Sequence, residues 1–323
     1  MPDSVASKLR IAIITPAARR SRTGNRVTAL RWASFLRQLG ARVSLATDWH
    51  GQAADVLVTV HAVKSADALL RATDERPDLR VVTLLSGTDI YPEFAPEETT
   101  RRALDRADAL IALQRHALEL LPPPLRQKAR VVVQSATAVP APRSRRFTAV
   151  VLAHLRAIKQ PLLAIEAVDR LPPDVDVRLL LAGARLDDDY SAAIATALAR
   201  SPRAEWLGEL NRRASRRLLA GSTVCIVPSR AEGGANVVSE AIAAGTPVLC
   251  TAIPGNLGLL GDDWPATFAV GDAQALANLL ARCADDSRFL DRLGRRIRSL
   301  QPLVAPAAEC AAWRRLLRDL VAG

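Results

Sequence analysis

Twelve short runs rich in aliphatic and β-branched residues, most of them without polar alternation, constrain this chain more than any other feature. The first six span residues 9–14, 42–45, 55–60, 81–85, 109–112 and 130–133. The second six span residues 147–153, 177–182, 204–207, 224–227, 248–251 and 267–270. A strand that is apolar on both sides has to be covered on both faces, which a parallel sheet between helical layers provides. Helical segments fall between most of the runs. In the clearest, Leu30, Ala33, Phe35, Leu36 and Leu39 recur at helical spacing, and Gly40 follows where a left-handed cap ends a helix. Repeated strand–helix–strand order predicts a right-handed, doubly wound α/β sheet.

The pattern stops once and starts again. Residues 139–146, Val-Pro-Ala-Pro-Arg-Ser-Arg-Arg, are rich in proline and charge and read as a linker. With 323 residues the chain has room for two domains of roughly 150 residues each. We therefore expect Rossmann-like domains at 1–140 and 147–304, facing a central cleft. The amphipathic stretch 307–323, with Trp313, Leu316, Leu317 and Leu320 on one side, is a candidate to pack back on the first. Ligands of such sheets bind outside the carboxyl ends of the strands, so function is sought in the loops that follow them.

The net charge of +11 raises the question of a polyanion partner. Only four of the 44 basic residues are lysine, and the arginines do not line one helix face with interleaved aromatics. Aromatics make up 4% of the chain, which leaves few stacking platforms for single strands. A local anion site fits better than a nucleic-acid groove, although a basic polyanion-binding module stays in view as another class of function. The basic run Asn211-Arg212-Arg213-Ala214-Ser215-Arg216-Arg217 reads as a solvated helix face, with weak contact to a membrane surface as its other reading. No apolar stretch reaches the length of a transmembrane span, and residues 1–8 hold no apolar signal core, so a cytoplasmic location is expected. Cys225, Cys250, Cys283 and Cys310 are widely spaced. Cys225 and Cys250 sit in strand runs as buried thiols, so neither disulfide nor zinc is expected.

The sharpest local signal runs from Pro228 to Pro247. A strand ends, Glu232 and the glycine pair Gly233-Gly234 follow, then Ala235, and a helix starts near Asn236. Glycines let backbone N–H groups come close to a ligand and tolerate positive φ. With the positive end of the helix dipole they make a site for a diphosphate. Glu240 lies about one turn inside the helix and leans back toward its mouth. Two carboxylates there can accept hydrogen bonds from two sets of vicinal hydroxyls, such as those of a ribose and a hexose.

This segment resembles the E-x7-E motif of the GT4-type retaining glycosyltransferases, with Glu232 and Glu240 as its glutamates. The resemblance implies the GT-B architecture, with Glu232 on the donor sugar and Glu240 on the ribose of the nucleotide. The family also has a Gly-Arg-Leu-x-x-x-Lys run whose Arg and Lys hold the diphosphate. Here it reads Ala153-His154-Leu155-Arg156-Ala157-Ile158-Lys159: Lys159 keeps its place, His154 replaces the arginine, and Arg156 supplies charge two positions on. Further blocks carry a narrower resemblance: 23–32, Ser86-Gly87-Thr88-Asp89, Gln134-Ser135-Ala136, 153–156, 232–236 and 255–261. Together they are similar to the selenosugar synthase family of selenoneine biosynthesis, SenB. That resemblance implies a C–Se bond formed from a UDP-sugar (UDP-N-acetylglucosamine or UDP-glucose) and selenophosphate, giving a 1-selenosugar, UDP and phosphate. The other enzymatic reading is an ordinary GT4 enzyme with a saccharide or lipid acceptor.

The loop after the first strand carries Arg19, Arg20, Arg22 and Arg26, with Thr23, Gly24 and Asn25 just before a helix. Arginine forks bind phosphate-like oxygens in pairs, so this loop is the candidate acceptor cradle. His61 and Lys64 follow the third strand, Thr88 and Asp89 the fourth, and Gln114 the fifth. Lys64 and Thr88 are assigned to the acceptor, while His61 and Asp89 are candidates for acid–base or orienting roles. Selenophosphate is already ionised, so the catalytic work expected of Lys159, Arg156 and the helix N-terminus is to stabilise departing UDP. No cofactor and no metal are expected. Asp187-Asp188-Asp189 is similar to the DxD metal run of another glycosyltransferase fold, yet it stands where a helix begins and acidic residues favour the dipole.

Overall fold

The computed structural model describes residues 9–21, 23–87 and 97–322. The chain divides into two compact units, Met1–Gln134 with Pro306–Gly323, and Ser135–Ala305. The first begins with β1 (Arg10–Ile14), α1 (Gly24–Gln38), β2 (Arg42–Ala46), β3 (Val56–Val60), α2 (Ala66–Glu75) and β4 (Arg80–Leu85). It continues with α3 (Glu98–Arg106), β5 (Ala109–Ala112), α4 (His116–Glu119), α5 (Pro123–Gln127) and β6 (Ala129–Val131). The second unit opens with β7 (Phe147–Leu152), a single 3-10 turn (Ala157–Lys159), α6 (Pro161–Asp169), β8 (Val177–Ala182), α7 (Asp188–Arg200) and β9 (Ala204–Trp206). There follow α8 (Arg212–Gly221), β10 (Val224–Val227), α9 (Asn236–Ala244), β11 (Val248–Thr251), α10 (Pro254–Leu260), β12 (Thr267–Phe268), α11 (Ala273–Asp285) and α12 (Ser287–Ser299). The last helix, α13 (Pro306–Ala322), belongs to the first unit.

Every one of the twelve apolar runs forms a strand, and every strand pairing is parallel. The orders are β2-β1-β3-β4-β5-β6 in the first sheet and β12-β11-β10-β7-β8-β9 in the second. Continuous apolar runs were needed because both faces are covered. β3 shows it residue by residue: Val56, Val58 and Val60 join the core cluster beneath α1, while Leu57 joins the cluster of α2 and α3 on the other face. All five of its residues are buried. β10 and β11 are likewise buried throughout, and there Cys225 and Cys250 are free thiols whose pKa burial pushes up. Residues 139–146 run within the second unit, where Ser144 N–H donates to Gly221 O at 2.8 Å and Arg143 to Gly245 O at 3.2 Å. Among the described residues no helix is long and apolar enough to cross a membrane.

The return of α13 to the first sheet follows from its apolar stripe. Trp313, Leu316, Leu317 and Leu320 enter the cluster that holds Trp32 and Leu36 of α1. The two tryptophan rings meet edge-on with centroids 4.8 Å apart. One charged residue is buried in this contact. Glu309, 1% exposed, accepts the Trp32 indole N–H at 2.7 Å and pairs with Arg31 Nε at 3.0 Å. Removing one partner of a buried pair leaves the other uncompensated, which costs about 3–5 kcal/mol. Glu309→Ala should therefore lower the unfolding free energy of the first unit by that amount, read as a lower urea midpoint at unchanged m-value, with Glu309→Gln losing less because it still accepts from Trp32. A Glu309→Ala midpoint equal to the parent's would show that the pair does not hold α13 in place.

Candidate functional site

Both sheets reverse their strand order at one point, beside which sheets of this kind bind ligands beyond the carboxyl ends of their strands. In the second unit the reversal lies between β7 and β10. The loops after these strands are residues 153–160 and 228–235, which carry His154, Arg156 and Lys159 on one side and Glu232, Gly233, Gly234 and Ala235 on the other. Lys159 Nζ donates to Glu232 Oε1 at 2.6 Å, and Ser229 Oγ donates to the same oxygen at 2.7 Å. Arg230 N–H donates to Ile158 O at 2.9 Å, so the two loops are joined by backbone as well. Glu232 is 8% exposed, and the lysine and the serine hold its carboxylate in that position.

The helix that follows starts without a side-chain cap. Ala235 is the N-cap of α9, Asn236 is its first residue, and its first turn contains no acidic group. An N-terminus left this way receives an anion readily, since its leading amides and its dipole face the same direction. Gly233 and Gly234 stand just before it, and neither takes the positive φ that their composition permits. Their contribution is the absence of side chains at the mouth. Glu240 lies in the second turn of α9 and pairs with Arg216 Nε of α8 at 3.2 Å. The structure thus brings Lys159 to Glu232 directly, and gives Glu240 a separate cation. Arg156 is exposed at the start of the 3-10 turn, its carbonyl accepting Lys159 N–H at 2.9 Å.

His154 does a different job from the arginine whose place it takes. Its Nδ1 accepts Ala184 N–H at 3.1 Å, tying the loop after β7 to the loop after β8. Leu155 N–H donates to Ala184 O alongside, at 2.9 Å. The approach is close enough that a Cβ on Gly183 would lie 2.0 Å from Ala153 O. On the opposite side, a Cβ on Gly255 in α10 would lie 1.8 Å from Glu232 O. Burial is the first cause lowering the His154 pKa below its ordinary value, with Lys159 and Arg156 also acting to lower it and Glu209 acting to raise it. The ring is therefore neutral near pH 7, with its proton on Nε2.

The first unit reverses its strand order between β1 and β3. Beside that point lie the 15–23 loop and His61. Thr23 is the N-cap of α1, and Gly24, Asn25 and Arg26 form an opening turn with no acidic residue. Thr23 Oγ1 shares a hydrogen bond with Ser21 Oγ at 2.9 Å and does not cap the helix. Arg26 lines a pocket of about 530 Å³ together with Arg19, Arg37 and His50. His61 is buried and holds a φ of 82°, a strained value for a residue with a Cβ. Its Nδ1 accepts the N–H of Lys64, whose side chain is exposed, at 3.4 Å. Gln114 is fully buried and accepts His116 N–H at 2.7 Å. Thr88, Asp89 and Arg22 lie outside the described residues.

Three contributors were not singled out from the sequence. Ser229 and Arg216 hold the two glutamates, and Gly183 allows the close approach of two loops. A serine three residues before a glutamate, or an arginine on a neighbouring helix, has no pattern that marks it in advance. The Asp187 side chain caps α7 by accepting Tyr190 N–H at 3.0 Å, with Asp188 and Asp189 in the first turn. Among the described residues no group of three His, Cys, Asp or Glu is placed to hold a metal ion.

The family model described as glycosyl transferases group 1 matches residues 134–300, just over half of the chain. No curated protein matches the sequence. Among solved structures, the chain is similar to HepE of Anabaena in complex with UDP and glucose, at 16% identity and a TM-score of 0.76, over 96% of this chain and 100% of that one. It is similar to the sucrose-phosphate synthase of Thermosynechococcus elongatus at 18% identity and 0.80, over 97% and 99%. It is also similar to the pneumococcal O-GlcNAc transferase GtfA in complex with UDP and GlcNAc, at 15% identity and 0.66, over 82% and 57%. At these identities the likeness is one of fold.

The imidazole has a consequence for pH dependence. Between the ordinary value of 6.5 and the lower folded-state pKa, the unfolded chain binds a proton at His154 that the folded chain does not. Stability should fall as pH drops through that window and be unaffected by this group above it. ¹⁵N-edited NMR should place the His154 midpoint below 6.5 with the neutral ring protonated at Nε2. A midpoint at or above 6.5 would contradict the arrangement.

Proposed function

We propose a specific chemistry for this chain, which belongs to the group 1 glycosyl transferases and has the GT-B fold: transfer of a sugar from a UDP-sugar, bound by the second unit, to selenophosphate, bound by the first. The observation that carries the donor half is the meeting of Lys159 and Glu232 at the strand-order reversal, directly before the uncapped N-terminus of α9. A diphosphate at that N-terminus has the leading amides of α9, Lys159 and Arg156 as its positive partners. Glu232 orients the sugar through its hydroxyls, and Glu240 takes those of the ribose. UDP complexes of the fold neighbours support a uridine diphosphate as the nucleotide.

In the reaction the anomeric C–O bond to UDP breaks and a C–Se bond forms, UDP leaving with the electron pair. Water then cleaves the P–Se bond to release phosphate and the 1-selenosugar. Charge builds on the leaving diphosphate, where fixed donors act in the transition state at no cost of reorganisation. Selenophosphate is ionised, so His61 and Asp89 are assigned to orientation rather than to proton abstraction. The reading needs no metal, because Lys159, Arg156 and α9 carry the positive charge, and it places the protein in the cytoplasm.

Two features support the small anionic acceptor. The sequence blocks that resemble the selenosugar synthases run through both units, and the first turn of α1 presents Arg26 to a pocket shared with Arg19 and Arg37. Lys64, Thr23, Gly24, Asn25 and Thr88 complete the proposed acceptor set. An ordinary saccharide or lipid acceptor is the second reading, and the names of the neighbours, a sucrose-phosphate synthase and an O-GlcNAc transferase, favour it.

Incubating the purified protein with UDP-N-acetylglucosamine or UDP-glucose and selenophosphate should yield UDP and a selenium-bearing sugar by mass spectrometry. Turnover with a saccharide or lipid and none with selenophosphate would replace the first reading with the second. Lys159→Ala should lower kcat by about 10²–10³-fold. Arg26→Ala should raise the KM for selenophosphate about tenfold and leave UDP affinity alone, as expected for one lost charged contact. An unchanged KM would remove that loop from the acceptor site.

A further inference from the structure

The basic run 211–217 has the composition of a solvated helix face, and most of it is one. Arg212, Arg213 and Arg217 of α8 are exposed. Arg216 is not: its side chain is 16% exposed, and it sits on the side of the helix that also carries buried Leu219, three residues on. α8 packs against α9, and the guanidinium reaches across that contact to Glu240. Nε donates to Glu240 Oε1 at 3.2 Å, and the carboxylate is itself only 18% exposed. Among the described residues, Arg216 is the sole hydrogen-bond partner of Glu240.

We propose that Arg216 is a positioning residue for Glu240 and thereby a determinant of nucleoside recognition at the donor site. The inference rests on the reading above, in which Glu240 accepts hydrogen bonds from the ribose. A carboxylate offers roughly four lone-pair directions. One bond from Nε to Oε1 sets the rotamer and leaves Oε2 to receive vicinal hydroxyls. The guanidinium has a second effect. A carboxylate a few ångströms from a diphosphate is repelled by it, and a cation fixed behind the carboxylate offsets that repulsion without occupying its ligand-facing side. Arg216 stands to Glu240 as Lys159 stands to Glu232, with the difference that Arg216 approaches from a neighbouring helix.

The test separates this role from general support of the helix. Affinities of the full-length parent, Arg216→Gln, Arg216→Lys and Glu240→Gln for UDP and for 2′,3′-dideoxy-UDP are measured by titration calorimetry, with thermal midpoints recorded for each. The parent should prefer UDP. Arg216→Gln should weaken UDP about tenfold, the worth of one charge-assisted bond, and weaken the dideoxy analogue less, through the lost charge alone, so that the preference narrows. Arg216→Lys should restore part of it. If the preference collapses in Glu240→Gln and survives in Arg216→Gln, the positioning role is overturned while the ribose reading stands. If it survives in both, or if Arg216→Gln weakens the two nucleotides equally, Arg216 does not set nucleoside recognition. Survival in Glu240→Gln also overturns the ribose reading itself.

Discussion

The proposed donor site depends on how closely two stretches of backbone approach their neighbours. Ala153 O and Glu232 O each occupy space that a Cβ would need, at Gly183 and at Gly255 respectively. Those two carbonyls belong to the loops after β7 and β10, the same loops that carry Lys159 and Glu232. Any side chain at either glycine forces backbone to move, and backbone cannot yield by changing rotamer. The 2.6 Å contact between Lys159 and Glu232 is therefore a result of main-chain packing. His154 fits the same logic, since its ring is spent on Ala184 N–H and fixes one loop against another. Charge at this position is given up for geometry, and Arg156 is the nearby residue left to supply it.

Electrostatics at the mouth then follow from pairing. The proposed diphosphate site must be positive, yet two glutamates, Glu232 and Glu240, stand beside it. The conflict is resolved by giving each carboxylate its own cation, from a different element in each case. Lys159 comes from the 3-10 turn after β7 and Arg216 from α8. With both carboxylates offset, the amides leading into α9 and the exposed Arg156 remain to meet an anion. The order of the second sheet makes this economical, because the reversal sets the loops after β7 and β10 side by side, directly before the N-terminus of α9.

Much of the fold was legible because coverage on both faces writes itself into composition. Runs such as 56–60 and 224–227 contain no charged position, and every such run became a parallel strand. The stripe of Trp313, Leu316, Leu317 and Leu320 announced that α13 buries one side. The site was legible where chemistry is local: a glutamate, two glycines and a helix start lie within a few residues of each other. It was illegible where the partner is distant in sequence. Arg216 looks like its exposed neighbours Arg213 and Arg217 until the packing of α8 on α9 turns it inward. Ser229 looks like any loop serine until its hydroxyl is found on Glu232. Gly183 reads as a strand-end glycine, and only the position of Ala153 O shows why no other residue fits. The glycine pair taught the reverse lesson: Gly233 and Gly234 permit positive φ and do not use it.

Both units are parallel sheets with one reversal of strand order, at β1/β3 in the first and at β7/β10 in the second, and they differ in what those reversals carry. At the second, carboxylates and cations are matched in pairs around a helix start. At the first, the loop and opening turn hold Arg19, Arg20 and Arg26 with no acidic residue in the first turn of α1, and His61 sits at a φ of 82°. Matched charges suit a ligand with both an anionic and a hydroxyl-rich end, for which each carboxylate is a fixed acceptor. Unmatched cations suit a ligand that is mostly anion. A strained, buried histidine persists only where its surroundings enforce it, and Ser65, whose hydroxyl bonds Val60 O at 3.1 Å, secures the turn that follows β3. Two parallel sheets of different strand order thus carry differently charged loops at their reversals, because strand order dictates where the loops lie and leaves their residues free to differ.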